Sequence, residues 1–304
     1  MPTQLVLTVA AVAGLLAGGL YLSVLVGPAF ILFQYFTQLP LFMVGLGVGI
    51  IAVLLSGCVA FVVAMIAEPI LGLVFLVGYV GPTLLVTHRA LLNRSVKESQ
   101  LEWYPIGRLL AEVSIYATAV VVLGVIWLTV QDGGLEGAIE SLVSQLRSIL
   151  GADVARGGDL LLSQNGFVVP GLIGISWIVM MVINGSLAQW LLRRSGRNLR
   201  PSSALQDVKL PTWLGYLLGV SILALLWGNG ALSFAGGAAM MILMTPFFFQ
   251  GVGVVHQWCS RSSSGNLILV VFYLLMLVLQ WPILLVIVFG IVDQWFDLRR
   301  QGAA

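Results

Sequence analysis

The stretch RLLAEVSIYATAVVVLGVIWLTV, residues 108–130, decides the fold class of this chain. After Arg108 this stretch contains one charged residue, Glu112. It is also longer than the run of about 20 apolar residues that a helix needs to cross a membrane. The whole chain shares this character, with 60% hydrophobic residues, 9% charged residues and a mean hydropathy of +1.06. Charged residues make up roughly a quarter of an ordinary soluble domain. The sequence therefore predicts an all-α fold, a polytopic transmembrane helix bundle.

The charges on either side of this stretch predict its orientation. Of the 14 Lys and Arg residues, four lie in the loop 89–108 and five in the loop 193–209. Acids concentrate in the hydrophilic stretch between them, at Asp132, Glu136, Glu140, Asp153 and Asp159. By the positive-inside rule, loops 88–108 and 192–210 are predicted to be cytoplasmic and residues 131–166 to lie outside. The basic residues form short clusters beside apolar runs and no continuous stripe, so no nucleic-acid partner is expected.

Apolar runs of sufficient length predict about eight membrane spans. The predicted spans are 5–26, 40–56, 59–83, 108–130, 167–191, 211–229, 235–257 and 267–292. Residues 28–39, between Pro28 and Pro40, are too short to cross and suggest a half-helix or re-entrant segment. In residues 267–295, Gln280, Trp281 and Pro282 interrupt the run, which fits either one kinked helix or a tight hairpin. The sidedness of both termini stays open at this point.

The hydrophilic segment 132–166 is predicted to carry an amphipathic helix at the membrane surface. Its apolar residues recur every three or four positions, at Leu135, Ile139, Leu142, Leu146 and Ile149. Such a helix can serve as a structural cover, as a lid over a substrate cavity, or as a docking helix for a partner. No linker, internal repeat or low-complexity tract divides the chain, so one integral membrane domain, residues 1–304, is expected.

Small residues in the first span indicate close helix packing. Gly14 and Gly18 stand four apart on one face, and Ala13 and Ala17 do so on an adjoining face. Rows of small residues let two helix backbones approach and gain van der Waals contact. They can pack against the chain's own helices, or they can form a docking face for another membrane subunit.

Polar residues within apolar runs are the candidates for binding a small molecule. The predicted substrate-binding set, to be weighed against ordinary hydrogen bonds between helices, is Gln34, Tyr35, Glu68, Asn184 and Gln250. None of the HExxH, GxSxG, P-loop and CxxC motifs is present, and His88 and His256 are the only histidines. We therefore expect no catalytic residues, no metal site and no cofactor, and a protein that is not an enzyme. Membrane lipid and a small-molecule ligand are the expected contacts besides a membrane subunit.

Two stretches carry a resemblance to a known family. YFTQLPLFMVGLGVG, residues 35–49, and GIVDQWFDLRR, residues 290–300, resemble the YybS-like family of predicted bacterial membrane proteins of unknown function. That family is distantly similar to the substrate-binding S components of energy-coupling-factor transporters and to the MreD-like proteins of cell-wall elongation. The resemblance implies a multi-pass protein of the bacterial cytoplasmic (inner) membrane.

The resemblance to S components implies particular roles for a few residues. S components dock on a coupling subunit through an Ala-xxx-Ala pattern in the first helix, which Ala13 and Ala17 match, and they close a loop after it, which corresponds to Gln34 to Pro40. The C-terminal residues Asp293, Asp297 and Arg300 share one helical face and are a second candidate for partner docking, or a structural cap. Two hypotheses follow: a non-enzymatic, S-component-like subunit that binds a small hydrophilic molecule, and an MreD-like scaffold without a transported substrate.

Overall fold

The computed structural model describes residues 3–97, 100–135, 137–138, 140–141, 144 and 166–299. These residues form ten helices and one short hairpin. The helices are α1 Thr3–Leu25, α2 Ile31–Gly47, α3 Ile50–Ala67, α4 Pro69–Leu91, α5 Ile106–Thr129, α6 Val168–Arg194, α7 Trp213–Trp227, α8 Ala231–Cys259, α9 Gly265–Leu279 and α10 Pro282–Phe296. Within the described ranges, six of them (α1, α3, α4, α5, α6 and α8) are long and apolar enough to cross a membrane. The all-α, multi-helix membrane fold is thus confirmed.

Two predicted spans, 40–56 and 59–83, have the wrong boundaries. Gly49 has φ 126°, a conformation that disfavours residues with a side chain, and there the chain turns from α2 into α3. At Glu68 the backbone is extended, and Pro69 opens α4, because the first residue of a helix needs no amide donor. The apolar run continues through both breaks, so hydropathy alone placed each boundary inside a helix.

The two segments that the sequence left open, residues 28–39 and 267–295, are each divided into short helical elements. Residues Pro28–Phe30 form a single 3-10 turn, followed by one helical turn, Ile31–Gln34, which leads into the main part of α2 from Gln38. In the C-terminal run, Gln280 has φ 57° and ends α9, and Pro282 stands in the first turn of α10. The run is therefore two separate helices of 15 residues each.

The loop after α4 contains a hairpin that the sequence did not predict. Strands β1, Asn93–Lys97, and β2, Gln100–Trp103, pair antiparallel, and Arg94 forms a 2.6 Å ion pair with Glu102 across them. The amphipathic helix predicted in 132–166 lies mainly on residues outside those that the structure describes.

The chain folds into two compact units: unit 1, Met1–Leu109 with Val179–Ser203, and unit 2, Leu110–Ile178 with Ala204–Ala304. In unit 1, α1 packs closely on α3. A Cβ atom added at Gly14 would lie 2.5 Å from the Ser56 carbonyl oxygen, and one at Gly18 would lie 2.8 Å from a methyl of Val63. Small residues on α1 therefore bring two helix backbones together.

In unit 2, α8 is the central helix and is buried over most of its length, with α7, α9 and α10 packed on it. Its contact with α10 depends on two glycines. A Cβ atom at Gly251 would lie 1.9 Å from the Val286 carbonyl oxygen, and one at Gly290 would lie 1.9 Å from the Phe247 carbonyl oxygen. Both obstacles are backbone atoms, so a side chain at either glycine would push the helices apart.

We expect Gly290→Ala to lower the thermal unfolding temperature in detergent, because overpacking a tight contact costs about 1–3 kcal/mol. Gly219→Ala on α7 is the matched control, since a Cβ atom there meets no heavy atom within 4 Å. Alanine is the better helix former by about 0.5–1 kcal/mol, so the control should unfold at the same or a higher temperature. Equal unfolding temperatures for the two variants would contradict the close approach of α8 and α10.

Candidate functional site

In unit 1, helices α2 and α4 place polar side chains on the faces they turn toward each other. Tyr79, Thr83 and Thr87 follow one another at intervals of four along α4 and so share one face. The Gln34 side chain lies beside the Tyr79 hydroxyl, and a Cβ atom added at Gly45 would lie 2.7 Å from Oγ1 of Thr87. The two helices therefore meet along this face.

Five polar side chains of unit 1 are almost completely buried in this region, and we call them the polar seam. They are Thr37, Gln38, Thr83 and Thr87, each 0% exposed, and Asn184, 1% exposed. Six of their atoms have no hydrogen-bond partner within the described part of the protein: Thr37 Oγ1, Gln38 Nε2, Gln38 Oε1, Thr83 Oγ1, Thr87 Oγ1 and Asn184 Oδ1. The polar seam offers both donors and acceptors and contains no charged side chain.

Asn184 joins α6 to the start of the polar seam. Its Nδ2 donates to the Tyr35 carbonyl oxygen at 2.6 Å and to the Met180 carbonyl oxygen at 2.8 Å. The amide donors of Asn184 are thereby occupied, while Oδ1 is not. Because Thr37 and Gln38 follow Tyr35 within one turn, Asn184 lies beside them.

An aromatic cluster lies next to the polar seam. The Phe75 and Tyr79 rings stack with centroids 5.4 Å apart, and the Tyr21 ring meets each of them edge to face at 5.0 and 5.2 Å. Tyr79 belongs to a π-helical segment of α4, Leu76–Val80. Such segments are rare, and they are found frequently at functional sites.

Unit 2 contains a second polar cluster, and its hydrogen bonds are largely satisfied. Gln250 accepts from the Leu210 amide at 2.9 Å and donates to the Gly290 carbonyl at 3.1 Å and to Asp293 at 3.0 Å. Arg299 Nε lies 3.0 Å from Asp293 Oδ2 without hydrogen-bond alignment, and both side chains are buried. The Arg299 guanidinium also donates to the carbonyls of Gln206 and Val208. This cluster holds the segment before α7 and the residues after α10 against α8.

In unit 1, a buried arginine after α6 holds this segment against the end of α4 and the residues before α5. Arg200 donates to the carbonyls of Ala90 at 3.2 Å and Tyr104 at 2.8 Å, and its own carbonyl accepts from Gln189 and Asn198. Desolvation by burial lowers the pKa of Arg200 from its ordinary value. Arginine pKa values are so high that the group stays charged at neutral pH.

Comparison with known proteins gives one result. A family model described as a predicted membrane protein, DUF2232, matches residues 7–294. The chain belongs to the DUF2232 family. This confirms the resemblance to a family of membrane proteins of unknown function. No curated protein and no solved structure matches the chain.

The structure places the five predicted substrate-binding residues of this DUF2232 protein at different positions. Asn184 belongs to the polar seam, Gln34 is half-buried beside Tyr79, and Tyr35 is 44% exposed. Glu68 is exposed at the corner between α3 and α4, so its predicted position inside a span is wrong. Gln250 lies in unit 2, where its amide is used in the cluster with Asp293.

The residues predicted to dock a partner are largely in contact with the chain itself. The first-helix set, Ala13, Gly14, Ala17 and Gly18, is buried in unit 1, and its role in docking stays a prediction. Asp293 is buried as well. Helix α10 ends at Phe296 and Asp297 has a left-handed backbone, so Asp293 and Asp297 do not share a helical face as predicted. Asp297 lies 3.4 Å from Lys209, and Arg300 is outside the described residues.

Four members of the polar seam were not predicted from the sequence, namely Thr37, Gln38, Thr83 and Thr87. Threonine and glutamine in apolar runs are ordinary, and a threonine hydroxyl usually bonds to its own helix. The available signal was the interval of four that links Tyr79, Thr83 and Thr87. That spacing predicts a polar face on α4, but it does not predict what the face meets.

The two ion pairs of unit 2 should differ sharply in their contribution to stability. Asp293→Asn leaves Arg299 buried without its countercharge, and breaking a buried pair costs about 3–5 kcal/mol. Lys209→Gln breaks the exposed pair with Asp297, and exposed pairs contribute about 0–1 kcal/mol. Thermal unfolding in detergent should show a large loss for the first variant and almost none for the second. Similar small losses would show that the Arg299 cluster does not hold unit 2 together.

Proposed function

We propose that this DUF2232 protein is a non-enzymatic membrane subunit that binds a small hydrophilic molecule in the polar seam of unit 1. The observation that supports this proposal is the set of six buried side-chain atoms without a partner among the described residues. In function it would resemble the S component of a transporter.

The physical argument rests on the energy of unpaired polar groups. A buried donor or acceptor without a hydrogen bond costs about 1–3 kcal/mol, and native proteins carry few of them. Five such side chains in one region favour a bound molecule that supplies the missing hydrogen bonds. Gln38 has both its donor and its acceptor free, so the molecule would carry groups of both kinds. The absence of charge in the polar seam favours an uncharged part of that molecule at this position.

The remaining features of the proposal follow from the charge pattern and the resemblance. Loops 88–108 and 192–210 would be cytoplasmic, residues 131–166 would lie outside, and the membrane would be the bacterial inner membrane. The sequence contains no P-loop, so an energised partner subunit would drive release of the molecule. No cofactor is invoked.

The test removes hydrogen-bonding groups without changing volume greatly. Gln38→Leu and Thr83→Val delete polar atoms of the polar seam, and we expect both variants to lose a small molecule that co-purifies with the wild-type protein. Native mass spectrometry after gentle extraction measures the bound molecule, and thermal unfolding measures stability. Removing an unpaired buried polar group is neutral or stabilising, so the variants should unfold at the same temperature as wild-type protein freed of the molecule, or at a higher one.

Ser56→Ala is the matched control in unit 1. Ser56 is also 0% exposed, but its hydroxyl donates to the Ala52 carbonyl at 2.7 Å and needs no ligand. This variant should retain the bound molecule. If wild-type protein carries no small molecule, or if Gln38→Leu and Ser56→Ala retain it equally, the proposal is wrong.

The scaffold alternative draws on a different observation. On α9, only Gly265 and Met276 are buried, so nearly all of the helix surface is open to lipid or to another membrane protein. An MreD-like scaffold would use such a surface and would need no ligand. Recovery of envelope-assembly proteins without any small molecule in the same mass spectra would favour this function.

A further inference from the structure

An apolar groove runs along the surface of unit 1 between α3 and α4. It has a volume of about 360 Å³ and is lined by Ile50, Ile51, Leu54, Leu84, Leu85 and His88. The lining is apolar along its length except at His88, which is exposed. The groove is therefore suited to a hydrocarbon chain, with a position for a polar group at one end.

Three exposed arginines follow one another at the end of α6. The Arg197 amide donates to the Leu192 carbonyl at 2.9 Å and the Gly196 amide to the Arg193 carbonyl at 3.2 Å, while Gly196 adopts φ 66°. These bonds form a Schellman motif that ends the helix and leaves Arg193, Arg194 and Arg197 at the surface. The Arg194 guanidinium lies 5.6 Å from the centre of the Trp190 ring. Tryptophan with arginine is typical of the level of the lipid headgroups.

The groove and these arginines are neighbours. A Cβ atom added at Gly47 would lie 2.7 Å from a methyl of Leu192 and 3.6 Å from the Arg197 carbonyl oxygen. The Leu199 amide also donates to the Leu46 carbonyl at 3.0 Å. Helix α3 starts only three residues after Gly47, and its first residue, Ile50, lines the groove. The end of α6 is thus held against the end of α2, three residues before the groove begins.

Among the described residues of unit 1, little negative charge balances the arginines. The acids among its described residues are Glu68 and Glu102. Glu102 is paired with Arg94 in the hairpin, and Glu68 lies at the opposite end of α4 from His88. Arg193, Arg194 and Arg197 therefore form a cationic site next to an apolar groove.

We propose that this surface binds one anionic phospholipid, with an acyl chain in the groove and the phosphate at Arg193, Arg194 and Arg197. Arginine donates in a fork that matches phosphate oxygens, and basic residues beside a membrane span attract anionic lipid. His88, at the end of the groove, lies where the glycerol and headgroup region would begin. The site is independent of the polar seam and of any transported molecule.

The test titrates purified protein in detergent with phosphatidylglycerol, and in parallel with phosphatidylcholine of the same acyl chains, and counts bound lipid by native mass spectrometry. Wild-type protein should bind phosphatidylglycerol more tightly. The double variant Arg193→Gln/Arg197→Gln should bind it about tenfold or more weakly, since each basic residue beside the membrane contributes. Arg94→Gln, which removes an exposed arginine of the hairpin, is the matched control and should bind as the wild type does.

A second variant tests the groove. Leu54→Trp fills it and should weaken phosphatidylglycerol binding, whereas Leu123→Trp, at an exposed position on α5, should not. Glycerol 3-phosphate, which has the phosphate but no acyl chain, should not displace the lipid. Equal binding of the two lipids, unchanged binding by the double variant or by Leu54→Trp, or displacement by glycerol 3-phosphate would each overturn the proposal. Thermal unfolding of every variant confirms that the fold is intact.

Discussion

The constraint on which the rest of the structure depends is the lack of water among its helices. A polar group that is buried in the protein has neither water nor lipid to bond to, so it must find its partners in the protein. Arg200 in unit 1 and Arg299 in unit 2 meet this constraint in the same way. Each is buried, and each donates to backbone carbonyls of other segments, Ala90 and Tyr104 in the first case and Gln206 and Val208 in the second.

These arginines explain how irregular segments can pack against apolar helices. The segments before α5 and before α7 have carbonyls that no helix satisfies, and a guanidinium with five donors can satisfy several at once. In unit 2 the charge is balanced by Asp293, which Gln250 also contacts. The close contact of α8 with α10 at Gly251 and Gly290 then brings these groups within reach. Packing and polar contacts in unit 2 therefore depend on each other.

The polar seam departs most from this constraint among the described residues, because it accounts for six of the twelve buried side-chain atoms without a hydrogen-bond partner, and for that reason it is the candidate site. Gln38 has its whole amide buried without a partner in the described structure, although Gln250 in unit 2 has donor and acceptor both in use. Because both residues are glutamines, residue type does not explain why one amide is hydrogen-bonded and the other is not. The difference lies in the surroundings: Gln250 faces backbone groups of neighbouring segments, whereas no described group lies within hydrogen-bond reach of the Gln38 amide.

The sequence predicted the fold class well because hydropathy reports how much apolar surface each segment has. It failed where the chain bends within an apolar run, since a single residue such as Gly49 or Glu68 changes the backbone direction while the run continues on both sides. At Gln280 the interruption was recognised, but the sequence did not decide between one kinked helix and two helices. The site was predicted only in part for a related reason. Asn184 and Gln34 were recognisable as polar residues in apolar runs, but the burial of Thr83 and Thr87 depends on which helix faces them. The pairing of Asn184 with the Tyr35 carbonyl likewise joins distant segments, which periodicity within one helix does not determine.

The most direct measurement is a cryo-electron microscopy map of the protein purified from its own membrane, at a resolution that shows ordered small molecules. We predict density for a small molecule within hydrogen-bond distance of the Gln38 amide and of the Thr83 or Thr87 hydroxyl. A map in which the Gln38 amide bonds to protein groups, with no density beside it, would contradict the central claim that the polar seam is a binding site.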